Sequence, residues 1–299
     1  MKLGKLRRRP GGTIDRRGSG GFGGLGFPSR TSGGGAGFPV PVGGGVGIGL
    51  LLVVLLIFGA CQVLGDGSIL GSGTGGDQRL DTRAEGDSLA DFVDAVGDDV
   101  QLTWEEIFQR EGDTYRFAEI VLFERQTQTA CGVGSARTGP FYCPADERVY
   151  LDLSFFQELE RRFGAPGDFA IAYVIAHEFG HHVQNRLGTN GRVERASRAN
   201  PGQRNELSVR LELQADCLAG VWARDANSRD VLQPGDLEEG MTAAAAVGDD
   251  RIQESTSGRI DPEAWTHGSS EQRRTWLRTG YQVGNPDACD TFSIPYGEL

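Results

Sequence analysis

Histidine is scarce in this chain. There are four among 299 residues, and three of them crowd at His177, His181 and His182. Cysteine is nearly as rare at five, and no two cysteines stand in a C-x-x-C spacing, so a zinc-thiolate site lacks its usual framework. Charge is missing altogether from Thr31 to Gly65. Positive charge is short overall: the net charge is −11, and residues 1–30 alone hold eight bases (Lys2, Lys5, Arg7, Arg8, Arg9, Arg16, Arg17 and Arg30) against Asp15, which leaves −18 for the remainder. An acidic main body of this kind argues against nucleic acid as a partner.

What is present divides the chain. Of 46 glycines, 25 fall in residues 1–76, where too few side chains remain to form a core. Residues 1–45 therefore read as a disordered, basic, glycine-rich tail. Inside the uncharged stretch, Val46 to Leu64 is largely apolar and shows no polar face, and 19 helical residues span about 28 Å, close to bilayer thickness. Residues 46–65 are the expected transmembrane helix, a single anchor. The positive-inside rule then puts the N-terminus in the cytoplasm and the rest outside the cell membrane. Two G-x-G-x-x-G matches, at Gly18 and Gly71, lie in glycine-rich linker and open no helix, so dinucleotide binding is dismissed. Residues 66–87 read as a flexible linker, and residues 88–299 as one folded domain.

Within that domain, helices are expected at Ser88–Val96 and Thr103–Arg110, the second with a Thr103–Glu106 capping box. Tyr115–Gln126 and Arg148–Leu153 read as strands. Further helices are expected over Ser154–Phe163, Asp168–Leu187, Glu206–Asn227 and Gly268–Thr279. The result is an α+β, helix-rich unit with a small β-sheet. Its four cysteines, Cys131, Cys143, Cys217 and Cys289, suit disulfides in an exported protein. They allow three pairings. Cys131–Cys143 would close a local loop, and Cys217–Cys289 would tie the C-terminal tail to a helix.

The chemistry centres on His177-Glu178-Phe179-Gly180-His181. Histidines at i and i+4 leave one face of a helix and can present two nitrogens to one Zn²⁺, with Glu178 placed toward a metal-bound water. A catalytic zinc usually takes a third protein ligand. Glu212 and Asp216 are again i and i+4, among apolar neighbours that suggest burial. One of these carboxylates can reach the metal while the other accepts a hydrogen bond from a ligand imidazole and fixes its orientation. His182 points about 140° away from His177 and is read as a packed histidine. His267, in a Gly/Ser-rich turn, is a candidate oxyanion donor, weighed against a capping role for the following helix, with Arg273 and Tyr150 as other possible donors.

These pieces together resemble the bacterial neutral zinc metallopeptidase family. The matching blocks are Asp15-Arg16-Arg17-Gly18, Gly139-Pro140-Phe141-Tyr142-Cys143-Pro144, Val149-Tyr150-Leu151-Asp152, Ala176 to Gln184, Glu212 to Gly220, Thr266 to Arg273 and Cys289 to Phe292. The resemblance implies a zincin-like fold, with an active-site helix under a small sheet whose edge strand receives extended substrate. It also implies Zn²⁺ held by His177, His181 and Glu212, with Asp216 supporting a ligand imidazole, and hydrolysis of a peptide or protein substrate with Glu178 as general base. The competing expectation is a catalytically inactive zincin-fold envelope protein that binds a peptide or partner.

Overall fold

The computed structural model describes residues 1–9, 12–17, 82–135, 139–161 and 164–299. The expected transmembrane helix (46–65) and linker residues 66–81 lie outside them. Among the described residues no helix is long and apolar enough to cross a membrane.

Helix α1 (Thr82–Arg110) is continuous where two helices were expected. It also begins six residues before the expected domain boundary, inside the stretch read as linker. Thr103 caps nothing: its hydroxyl donates back to the Asp99 carbonyl at 3.1 Å and to the Asp225 carboxylate at 2.8 Å. Gly97, one residue past the expected end of the first helix, is there for space. A Cβ at this position would lie 2.4 Å from Ile120 Cδ1, so the lost helix propensity is exchanged for close contact with the sheet.

That sheet has four strands. β2 (Glu119–Phe123) and β6 (Arg148–Asp152) pair in parallel at its centre, with Ile120 opposite Val149 and Leu122 opposite Leu151. Both are apolar on both faces, as strands covered on each side require. β5 (Phe141–Cys143) pairs antiparallel with β6 and forms one edge. A separate hairpin, β3 (Gln126–Thr129) with β4 (Gly132–Ser135), was not expected from sequence, and the Cys131–Cys143 disulfide ties it to β5.

The remaining helices are α2 (Ser154–Arg161), α3 (Asp168–Arg186), α4 (Thr189–Ala199), α5 (Arg204–Ser228), α6 (Asp236–Ala246), α7 (Asp249–Ser257) and α8 (Ser270–Val283). Of these, α4, α6 and α7 were not anticipated. α3 and α5 are buried nearly all round, which is why neither shows a clean amphipathic stripe. Phe169 on α3 stacks on Trp222 of α5 at 5.9 Å, and each such large side chain contributes roughly 1.5–3 kcal/mol on burial. α5 and α8 meet backbone to backbone: a Cβ on Gly280 would sit 1.9 Å from the Cys217 carbonyl. The Cys217–Cys289 disulfide fastens the same contact.

The reading of residues 1–45 as a disordered tail is corrected at its start. Residues 1–9 and 12–17 pack on the domain, and β1 (Thr13–Asp15) adds to the free edge of β2 in parallel. Met1 and Leu6 are buried in the core cluster, and the Met1 ammonium lies between Asp168 and Asp236 at 2.7 and 3.3 Å. Of the basic residues that read as a topology signal, Arg7, Arg8 and Arg9 have acidic partners on α1 and α5, Lys2 and Lys5 pair with Asp230 just beyond α5, and Arg17 pairs with Asp15 on β1.

Candidate metal centre

The site forms where α3 crosses α5. Gly180 faces the backbone of Ala215, and a Cβ there would come within 2.9 Å of the Ala215 carbonyl oxygen. This close approach brings the two histidines, on the turn before and the residue after Gly180, against Glu212. His177 Nε2 is 3.1 Å from Glu212 Oε2, and His181 Nε2 is 3.5 Å from Glu212 Oε1. Ligand atoms on a tetrahedral zinc with bonds near 2.0–2.1 Å stand about 3.3 Å apart, so this spacing fits one metal ion without rearrangement.

The opposite ring nitrogens are already taken. His177 Nδ1 bonds Asp216 Oδ1 at 2.8 Å, and His181 Nδ1 bonds Gln184 Oε1 at 2.8 Å. Both Nε2 atoms are thereby left facing Glu212, the orientation a shared cation requires. Gln184 is itself fixed, its amide donating to the Leu211 carbonyl at 2.7 Å on the crossing helix. The sequence reading overlooked Gln184, although its place three residues after His181 on one helix face was a usable signal.

Asp216 is fully buried and heavily supported. Its Oδ1 accepts from Tyr173 Oη at 2.5 Å and from Arg273 at 2.9 Å, and its Oδ2 accepts from Arg273 Nε at 2.8 Å. Burial works against its charge, but Arg273 and His177 outweigh it and hold the carboxyl below its usual range. Glu212 is likewise opposed by burial and carried well below its ordinary value by His181 and His177. For His177, burial disfavours the proton, and Asp216 with Glu212 more than reverses that, raising the imidazole to about 10. His177 thus lies between two carboxylates that favour its protonated form.

Glu178 is also buried, and desolvation raises its carboxyl, with His181 and His177 partly opposing. His267 comes from the far side. Its loop is organised by Asp249 at the start of α7, whose Oδ2 accepts the backbone N–H of Thr266 and His267, each at 2.6 Å. Asp249 Oδ1 lies 3.2 Å from His267 Nδ1. Burial lowers the His267 pKa, and Asp249 and then Glu212 raise it above normal, so His267 sits within electrostatic reach of the metal-binding carboxylate. The capping role weighed for His267 belongs to Ser269, which forms the capping box of α8 with Gln272.

The other candidate donors are already engaged. Tyr150 gives its hydroxyl to Asp146 at 2.7 Å, and Arg273 commits its guanidinium to Asp216, Tyr173 and the Val247 carbonyl. His182 packs away from the site, bonding Tyr142 Oη and the Arg116 carbonyl. All four cysteines pair as the sequence allowed, Cys131 with Cys143 and Cys217 with Cys289.

Comparison with known proteins gives one family profile, described as "Putative neutral zinc metallopeptidase", matching residues 3–292. The chain is 43% identical over 293 residues to the uncharacterized protein YpfJ of Escherichia coli K12, covering 96% of this chain and 97% of the relative. It is 46% identical over 212 residues to the uncharacterized protein Rv2575 of Mycobacterium tuberculosis H37Rv, covering 67% of this chain and 70% of the relative. No solved structure gives a significant match.

Proposed function

The chain belongs to the neutral zinc metallopeptidase family, and from that premise we propose that it hydrolyses peptide bonds at the α3–α5 crossing. The observation that carries the reading is the convergence of His177 Nε2, His181 Nε2 and Glu212, with each Nδ1 already bonded elsewhere. A zinc ion held there supplies an acidified water and polarises the scissile carbonyl.

The chain's own groups do the rest. Glu178 takes the proton of the attacking water and returns it to the departing amine nitrogen. Its buried position raises its basicity toward the working pH, which favours both transfers. His267, steadied by Asp249, which raises its pKa against the effect of burial, offers its Nε2–H to the oxygen that gains charge as the carbonyl is attacked. Asp216 and Gln184 keep the two imidazoles turned toward Glu212. Tyr173 and Arg273 in turn keep Asp216 in place and ionised.

Membrane attachment through residues 46–65 is part of the proposal, with the catalytic domain outside the cytoplasm, where its two disulfides form readily.

The test is zinc content together with a cleavage profile of the purified full chain on a peptide library. One zinc per chain and cleavage that disappears in Glu178→Gln, with zinc retained, is the expected result. Zinc without any cleavage favours the binding-module reading. Cleavage that survives Glu178→Gln sinks the mechanism.

A further inference from the structure

We infer that the N-terminal residues 1–9 and 12–17 are a built-in part of the catalytic unit and lie on the same side of the membrane as the metal centre. That a membrane is involved rests on the function proposed above; the same-side placement rests on packing alone.

The packing has three independent parts. The first is electrostatic. Residues 1–17 carry seven bases and one acid, and the surface beneath them is acidic. Arg7 donates its backbone N–H to Asp99 at 2.8 Å, and its side chain to Glu106 at 2.6 Å, Thr103 at 2.5 Å and Asp225 at 3.2 Å. Arg8 pairs with Asp94, the Arg9 backbone N–H donates to Asp98 at 2.9 Å, and Lys2 and Lys5 both pair with Asp230. The second is apolar: Leu6 is buried, and Arg9 lies 4.0 Å from the centre of the Phe117 ring. The third is backbone. Ile120 N–H donates to the Gly12 carbonyl and Arg16 N–H to the Leu122 carbonyl, each at 2.8 Å, which pairs β1 with the edge of β2. An edge strand left bare would be open to pairing with other chains.

One membrane crossing between β1 and β2 would put about 30 Å of hydrocarbon between strands that share hydrogen bonds. The number of crossings is therefore even.

The experiment uses the full chain with Cys61→Ser, carrying either Leu3→Cys or Ile260→Cys, positions 49% and 52% exposed on the N-terminal segment and the catalytic domain respectively. A membrane-impermeant maleimide is applied to intact spheroplasts and to lysed cells. Equal labelling of the two introduced thiols before lysis is expected. Labelling of the Ile260→Cys chain in intact spheroplasts, with the Leu3→Cys chain reached only after lysis, overturns the inference. Protection of both until lysis keeps the same-side placement and overturns the external location proposed above. Arg7→Glu in the otherwise wild-type full chain is expected to lower the melting temperature while leaving zinc content at wild type; an unchanged melting temperature means the segment is not docked, and the inference falls.

Discussion

Two clusters of buried carboxylates lie on neighbouring helices and have been put to opposite uses. On α5, Glu212 and Asp216 are surrounded by histidines, with Arg273 behind them. On α1, Asp99 is equally buried but is held by Arg229 at 2.7 and 2.9 Å, by Trp222 Nε1 at 3.0 Å and by the backbone N–H of Arg7. The cost of burying the acids is similar in kind. The partners differ. Guanidinium and indole have only donors to give, so the Asp99 cluster is closed once its bonds are made. Imidazole keeps a lone pair, so the Glu212 cluster can exchange a proton for a metal ion. Whether a buried acid becomes a lock or a site is decided by what faces it.

The largest expected effects separate the two clusters directly. Glu212→Ala is expected to abolish zinc binding and cleavage while the metal-free protein still folds, as read by elemental analysis and circular dichroism. Asp99→Ala is expected to do the reverse: zinc stoichiometry stays at one, and stability falls by about 3–5 kcal/mol because Arg229 loses its buried partner, measured by denaturant unfolding. If Asp99→Ala also loses its zinc, the clusters are coupled and the contrast fails.

Asp216→Asn keeps a bond to His177 but removes the charge, and is expected to weaken zinc binding about 10–100-fold in competition with a chelator. The proton balance gives a smaller signal. Because His177 is raised to about 10, it is protonated in the metal-free state at neutral pH and must lose that proton to ligate. Zinc uptake at pH 7 is expected to release about one proton per site, seen as binding enthalpies that vary with the ionisation enthalpy of the buffer. A buffer-independent enthalpy contradicts a protonated His177. The smallest effect is at the rim of the Asp99 cluster: Arg8→Ala breaks a half-exposed pair with Asp94 and is expected to cost about 0–1 kcal/mol.

The convergence of the candidate site was largely legible in the sequence because its parts repeat at helical spacing. His177 and His181, like Glu212 and Asp216, are i and i+4 pairs on helices whose limits were placed within a few residues. Asp249 was not legible, since it acts on His267 across 18 positions and no periodicity links a helix start to a distant turn. Tyr173 was within reach, four residues before His177 on the same face of α3, but an aromatic on a buried helix reads as core until its hydroxyl is seen on Asp216. The continuity of α1 was hidden by Gly97, whose purpose lies on another element. The first 17 residues were misjudged for a related reason. Their charge was weighed by itself, although Asp91, Asp94 and Asp98 recur at i, i+3 and i+7 along α1 and formed a matching acidic stripe.

The bond between Cys217 and Cys289 joins positions 72 apart into a covalent ring, and that ring contains Asp249, His267 and Arg273. His177, Glu178, His181 and Glu212 lie outside it, with the anchor Cys217 one residue beyond Asp216. A single backbone cut anywhere between the two cysteines therefore releases no fragment. The severed ends stay tethered at high effective concentration to the helix that bears Glu212, where they can fall back into place. For the peptidase proposed above, whose surface loops are themselves peptide bonds within reach of other copies, that ring keeps a nicked domain in one piece.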